Sequence, residues 1–195
     1  MTDPTPLLLY LASRSPRRRE LLEQIDIPYQ LVDVEVDETP LRDEPPERYV
    51  ARVARDKAAA GARCCPPDVL VLGADTTVVL DGRILGKPAD EAEALGQLRR
   101  LRGRAHTVLT AVALAGLTNL ELLSRSEVTF GDVDDDTLRA YCATGEPLDK
   151  AGSYGIQGRA GIFVTHLSGS YSGVMGLPLA ETARLLKDAG FPVMA

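Results

Sequence analysis

The run Leu7-Leu8-Leu9-Tyr10-Leu11-Ala12-Ser13-Arg14-Ser15-Pro16-Arg17-Arg18-Arg19-Glu20 joins an apolar strand to a helix through a short Ser-rich turn. A chain with this junction must place the helix against a sheet that the strand helps to build. Pro16 suits the first helical position, where its missing N–H would have had no partner. Ser15 stands where an N-cap belongs. Carboxylates usually occupy a first helical turn, because the helix dipole favours them there. Arg17, Arg18 and Arg19 run against that preference and call for an anion at the helix start. Leu21, Leu22 and Ile25 supply the buried face, with Arg17 and Arg18 one turn above them. Arg19 and Glu23 have the spacing of a solvated ion pair. The segment reads as a phosphate or nucleotide site at a strand end, against the plainer reading of a basic surface turn.

The same strand–helix alternation continues along the chain. Residues 7–13 and 29–34 read as strands, with a helix over 16–25 between them. An acidic, Pro-rich loop spans Glu35 to Pro46. A helix over 47–62 buries Val50, Val53 and Ala54. Residues 69–80 form a long apolar strand interrupted at Gly73-Ala74-Asp75-Thr76-Thr77. Asp81-Gly82 turns it into Arg83–Leu85. Asp90 and Glu93 start a helix over 90–101, and 105–115 and 120–130 read as paired strands. A short helix follows Asp134, 145–161 is Gly-rich and irregular, 161–167 is a strand, and Pro178 opens a final helix. No repeat or low-complexity linker divides the 195 residues. The expectation is one α/β domain over 1–195, an elongated unit with a mixed central sheet flanked by helices.

Charge and composition narrow the function. The net charge is −6, aromatic residues make up 5%, and there is no Trp. These values disfavour stable nucleic-acid binding, which rests on a positive surface and stacking platforms. No run is long enough to span a membrane, and residues at the N-terminus lack a signal-peptide pattern. Cys64, Cys65 and Cys142 show no metal-ligand spacing and read as reduced thiols. These features suggest a cytoplasmic protein. His106 and His166 lack partner motifs and read as strand-edge residues.

Polar residues in apolar places carry the chemistry. Asp75 follows Val69-Leu70-Val71-Leu72-Gly73-Ala74, where an unpaired carboxylate is costly. Open α/β sheets place ligands at such strand ends. The alternative is a structural Asp capping a turn. Lys57 continues the stripe of Val50, Val53 and Ala54, so it must snorkel or meet an anion. Lys87 lies in Leu85-Gly86-Lys87-Pro88. Glu38 stands in the acidic loop among residues that spacing alone does not separate. Arg17, Arg18, Lys57 and Lys87 could neutralise a triphosphate. Asp75 and Glu38 could hold a divalent cation, and a carboxylate could orient or deprotonate a water. The residues by themselves point to a metal-dependent enzyme acting on a phosphorylated small molecule.

Four ordered motifs then resemble the Maf family of nucleoside triphosphate pyrophosphatases. They are Ala12–Arg18, Gly73-Ala74-Asp75-Thr76 with Gly86-Lys87-Pro88, Asp149–Gly158, and Gly169-Ser170-Tyr171 with Val174–Pro178. The resemblance implies a fold similar to inosine triphosphate pyrophosphatases and a homodimer. It implies cleavage between the α and β phosphates with a magnesium or manganese ion. On this resemblance Asp75 matches the proton acceptor. Ser13, Arg17, Arg18, Glu38, Lys57, Lys87 and Gln157 match positions associated with substrate or metal. Arg17, Thr76 and Gln157 look like the specificity positions of the dTTP/UTP branch. A neutral amide can both donate to and accept from a pyrimidine edge, whereas a carboxylate only accepts. The other branch, acting on 7-methyl-GTP, carries an acidic residue in place of the Gln. Gly173 departs from the polar residue many relatives carry there. The family is also linked to arrest of septum formation, so a division regulator working by protein contact is a competing expectation.

Overall fold

The computed structural model describes residues 7–194. The N-terminal residues read as free of a signal-peptide pattern, 1–6, lie outside the described residues. The elements are β1 (Leu9–Ala12), α1 (Pro16–Gln24), β2 (Gln30–Leu31), α2 (Pro46–Cys64), β3 (Leu70–Leu80), β4 (Arg83–Leu85) and α3 (Glu91–Leu101). They continue with β5 (Ala105–Gly116), β6 (Leu120–Phe130), α4 (Asp135–Cys142), β7 (Val164–Ser168), α5 (Tyr171–Met175) and α6 (Leu179–Asp188). Short 3-10 turns lie at Glu146–Asp149, Ala151–Ser153 and Arg159–Phe163.

The fold is mixed α/β. One sheet runs in the order β2-β1-β3-β5-β6-β7, with β4 also paired to β3. β1 is parallel to β2 and β3, and the remaining pairs are antiparallel. β3 does not break at Gly73–Thr77, as the polar insertion suggested; it is continuous through all 11 residues. Gly73 is there because α2 lies almost on the strand. A Cβ at this position would collide with the Ala54 carbonyl and come within 2.5 Å of Ala58 N.

Side-chain alternation along β3 sorts its residues between two layers. Leu70, Leu72 and Ala74 join Leu9, Leu11, Leu21, Leu22 and Leu186 on one face. Gly73 and Asp75 face α2, whose Val50, Ala54 and Ala58 pack on Leu109, Ala111 and Ala113. A third cluster under α3 and α4 gathers Leu98, Leu101, Phe130, Leu138, Tyr154 and Phe163.

Several boundaries differ from expectation. β2 keeps two residues of the expected 29–34, and β7 begins at Val164 after a 3-10 turn. The short helix α5 was not anticipated, because Ser170 caps only five residues. Glu23 accepts the Tyr29 hydroxyl at 2.7 Å, and no Arg19–Glu23 ion pair forms among the described residues. His106 is not an edge residue. It is buried in β5, paired with β6, and its Nε2 lies 2.8 Å from the Tyr154 hydroxyl. His166 does lie on the edge strand β7 and is exposed.

Candidate active site

Strand lengths create the site. β1 ends at Ala12, opposite Gly73, and β4 does not pair with β3 until Val78. Residues 74–77 of β3 therefore have an open edge, and the chain leaving β1 turns away there into α1. A cleft of about 750 Å³ occupies this gap. Ser13, Arg17, Arg18, Glu38, Lys57, Asp75, Thr76, Lys87 and Gln157 all line it. Six separate parts of the sequence thus meet where an open α/β sheet places ligands.

The turn into α1 is tied by Ser13 and not by Ser15, whose side chain makes no capping bond. Ser13 Oγ accepts from Ser15 N at 3.2 Å and from Arg18 Nη1 at 3.0 Å. Arg18 is 8% exposed. Its Nε donates to the Gly176 carbonyl at 2.8 Å, and Nη2 to Thr76 Oγ1 at 3.3 Å. All three partners are neutral, and among the described residues no carboxylate forms an ion pair with it. Burial pushes the guanidinium below its ordinary value, opposed by the charge of Asp75. Arg keeps its proton in proteins, so this is a buried positive charge held by neutral hydrogen-bond partners.

Thr76 is bound into the same assembly. Thr110 Oγ1 donates its only proton to the Gly173 carbonyl at 2.7 Å, so the Thr76 hydroxyl donates to Thr110 at 2.9 Å. Thr76 can then only accept from Arg18, and its structural effect is to aim that guanidinium. Gly173 is buried, and a Cβ there would approach Ser170 Oγ to 3.1 Å. A larger residue at this position would crowd Ser170 and Pro178, beside the carbonyl that accepts from Thr110.

Lys57 finds its anion across the α2–β3 contact. Its Nζ lies 2.9 Å from Asp75 Oδ1 and 3.0 Å from Glu38 Oε1. Asp75 is buried, and burial raises its carboxyl above the ordinary value despite Lys57 and Arg18. Glu38 is half exposed and reaches in from the loop before α2. Arg52 holds that loop, donating to Thr39 O at 3.1 Å and to both oxygens of Glu44 at 2.7 and 2.8 Å. The Arg52 contact draws the Glu44 carboxyl down to about 2.

The opposite wall comes from residues 149–157. Arg17 Nη1 donates to Asp149 Oδ2 at 3.1 Å, and Lys150 Nζ to Asp149 Oδ1 at 2.6 Å. Tyr154 turns its ring into the wall, and Gln157 is exposed at the rim. Asp149, Lys150, Tyr154 and Tyr49 are cleft residues that sequence reasoning assigned no role. The first three lay inside a quoted motif. Tyr49, one position before Val50 on α2, gave no signal of its own.

A family profile described as "Maf-like protein" matches residues 8–189. The chain belongs to the Maf family. A relative from Aromatoleum aromaticum named "dTTP/UTP pyrophosphatase" is 53% identical, covering 97% of this chain and 99% of its own. One of the same name from Dechloromonas aromatica is 55% identical, covering 94% and 98%. A solved Ham1 protein structure from Coxiella burnetii aligns with a TM-score of 0.48 at 15% identity, over 93% of this chain and 99% of that one.

The Maf cleft also has donors suited to a metal ion. Two carboxylates converge on one cationic point, now held by the Lys57 ammonium. No cluster of three or more His, Cys, Asp or Glu surrounds it among the described residues. Two hard oxygen donors without a closed cage fit a magnesium-type ion that takes its other ligands from water and phosphate.

Proposed function

We propose that this Maf protein hydrolyses dTTP and UTP to the monophosphate and pyrophosphate. The observation that carries the reading is Arg18, buried with neutral partners only and facing a cleft shared with Arg17, Lys57 and Lys87. A triphosphate supplies the negative charge that Arg18 lacks. The names of the relatives supply the base.

The triphosphate lies over the start of α1, held by Ser13, Arg17 and Arg18. Lys57 and Lys87 neutralise further phosphate charge. Asp75 holds the attacking water and takes its proton. Its Oδ1 is bound to Lys57, while Oδ2 has no partner among the described residues. Burial makes this carboxylate a stronger base than a solvated one, which is what proton abstraction needs. A magnesium or manganese ion held by Glu38 and Asp75 would supply charge stabilisation on the phosphate oxygens. Gln157 reads the pyrimidine edge, and Arg17 and Thr76 set its distance from the phosphates. The working unit is residues 1–195 as one domain, in a homodimer. Three cysteines with no disulfide suit the reducing cytoplasm. No helix among the described residues is long and apolar enough to cross a membrane.

The test is pyrophosphate release from dTTP, UTP, CTP, GTP and 7-methyl-GTP, with magnesium, manganese or chelator. Metal-dependent hydrolysis favouring dTTP and UTP is the expected result. Preference for 7-methyl-GTP would keep the chemistry and overturn the base assignment. No release from any nucleotide would overturn the activity.

A further inference from the structure

Gln97 is an amide in the middle of α3, 6% exposed, on the helix face that also buries Ala94, Leu98 and Leu101. It does not line the cleft. A leucine would pack there without a polar atom to satisfy, so the amide needs another reason. Its Oε1 accepts from Ser153 Oγ at 2.7 Å, and its Nε2 donates to Glu93 Oε1 at 3.4 Å. The other Glu93 oxygen accepts from Ala89 N at 2.8 Å. This chain of bonds ties residue 153 to residue 89. Gly152 N donates to the Gly86 carbonyl at 3.2 Å beside it. Lys87 lies between Gly86 and Ala89, and Gln157 lies four residues beyond Ser153.

Ser153 is itself unusual. It is fully buried with φ +64°, the left-handed region that residues with a side chain avoid. Such a backbone persists only where neighbours hold it. We propose that Gln97 is a positioning residue for base selection: through Ser153 and Glu93 it sets the distance between the Lys87 loop and the segment carrying Gln157. This rests on the proposed function, in which Lys87 meets phosphate and Gln157 meets the base.

The test compares wild type, Gln97→Met, Ser153→Gly and the double variant, with magnesium present. KM and kcat are measured for dTTP, UTP, CTP and GTP, and Tm for each protein. Gln97→Met should raise KM for dTTP and UTP and cut their kcat/KM advantage over CTP by about tenfold, the cost of a small misplacement. Ser153→Gly should lose a similar factor, and the double variant no more than either, because both break one link. Selectivity equal to wild type in Gln97→Met, with only Tm lowered, would make the contact purely structural and overturn the inference. Losses that multiply in the double variant would also overturn it. If Gln97→Met does not fold, the double variant, which leaves no orphaned hydroxyl and no strained side-chain residue, decides between the same outcomes. A wild type with no preference among nucleotides would overturn the proposed function, and this inference with it. A selective wild type with an equally selective Gln97→Met overturns this inference alone.

Discussion

Asp75 combines two properties that a solvated carboxylate lacks: a base strength raised by burial and a fixed direction imposed by Lys57. Replacing it with Asn keeps the shape and removes the proposed proton acceptor. Asp75→Asn should lower kcat about 10²- to 10⁴-fold while KM for dTTP changes little. Steady-state pyrophosphate release measures this, and a kcat near wild type would remove Asp75 from the base role. Gln157 poses a different question, because its amide donates as well as accepts. Gln157→Glu should move the relative kcat/KM from dTTP and UTP toward purine triphosphates, with Tm unchanged at this exposed position. Unaltered ratios in the same nucleotide panel would contradict its role at the base.

The contact between β3 and α2 places Asp75 against Lys57, and Gly73 sets how close it is. Gly73→Ala would drive the added methyl against the backbone of Ala54 and Ala58. A cost of about 3 kcal/mol is expected, at the upper end for overpacking, and a denaturation midpoint would register it. β5 carries a second buried device, the His106–Tyr154 pair packed edge-on to Phe130. Burial lowers the His106 imidazole to about 4 from the usual 6.5, so the folded protein keeps it neutral. Between those two values the unfolded chain takes a proton that the folded one refuses. Stability therefore falls as pH drops from about 6.5 to about 4, by up to about 3 kcal/mol from this group. His106→Asn should flatten that limb of Tm against pH. A limb as steep as in wild type would show that carboxylates elsewhere cause it.

The assembled cleft joins the start of α1, the open edge of β3, the loop before α2, the Lys87 turn and residues 149–157. With two carboxylates at the proposed cation site among the described residues, the protein should depend on metal for turnover and not for folding. Chelator should abolish pyrophosphate release, magnesium or manganese should restore it, and Tm of the free protein should stay the same throughout. A large chelator-induced drop in Tm would reveal a structural ion instead. Local physics made much of this assembly readable in advance. Arginines in a first helical turn, a carboxylate ending an apolar strand and a lysine in a buried stripe each violate a strong preference, so each is visible without coordinates. Glu38 was different, because its loop holds several equivalent carboxylates and the contact with Lys57 across the fold distinguishes this one. Asp149 and Tyr49 broke no local rule, and Gln97, an amide beside a buried stripe, gave no sign that Ser153 was its partner. Their partners lie 132 residues away for Asp149 and 56 for Gln97. His106, read as an edge residue, is paired with β6 and buried against Phe130 and Tyr154, which no local pattern around it announces. The sequence by itself determined the order of strands and helices and the charges that had to find partners, because periodicity and desolvation act within a few residues. The tertiary structure alone decided which partners they found and how wide the cleft opens, because both depend on strand register and on where β1 ends against β3.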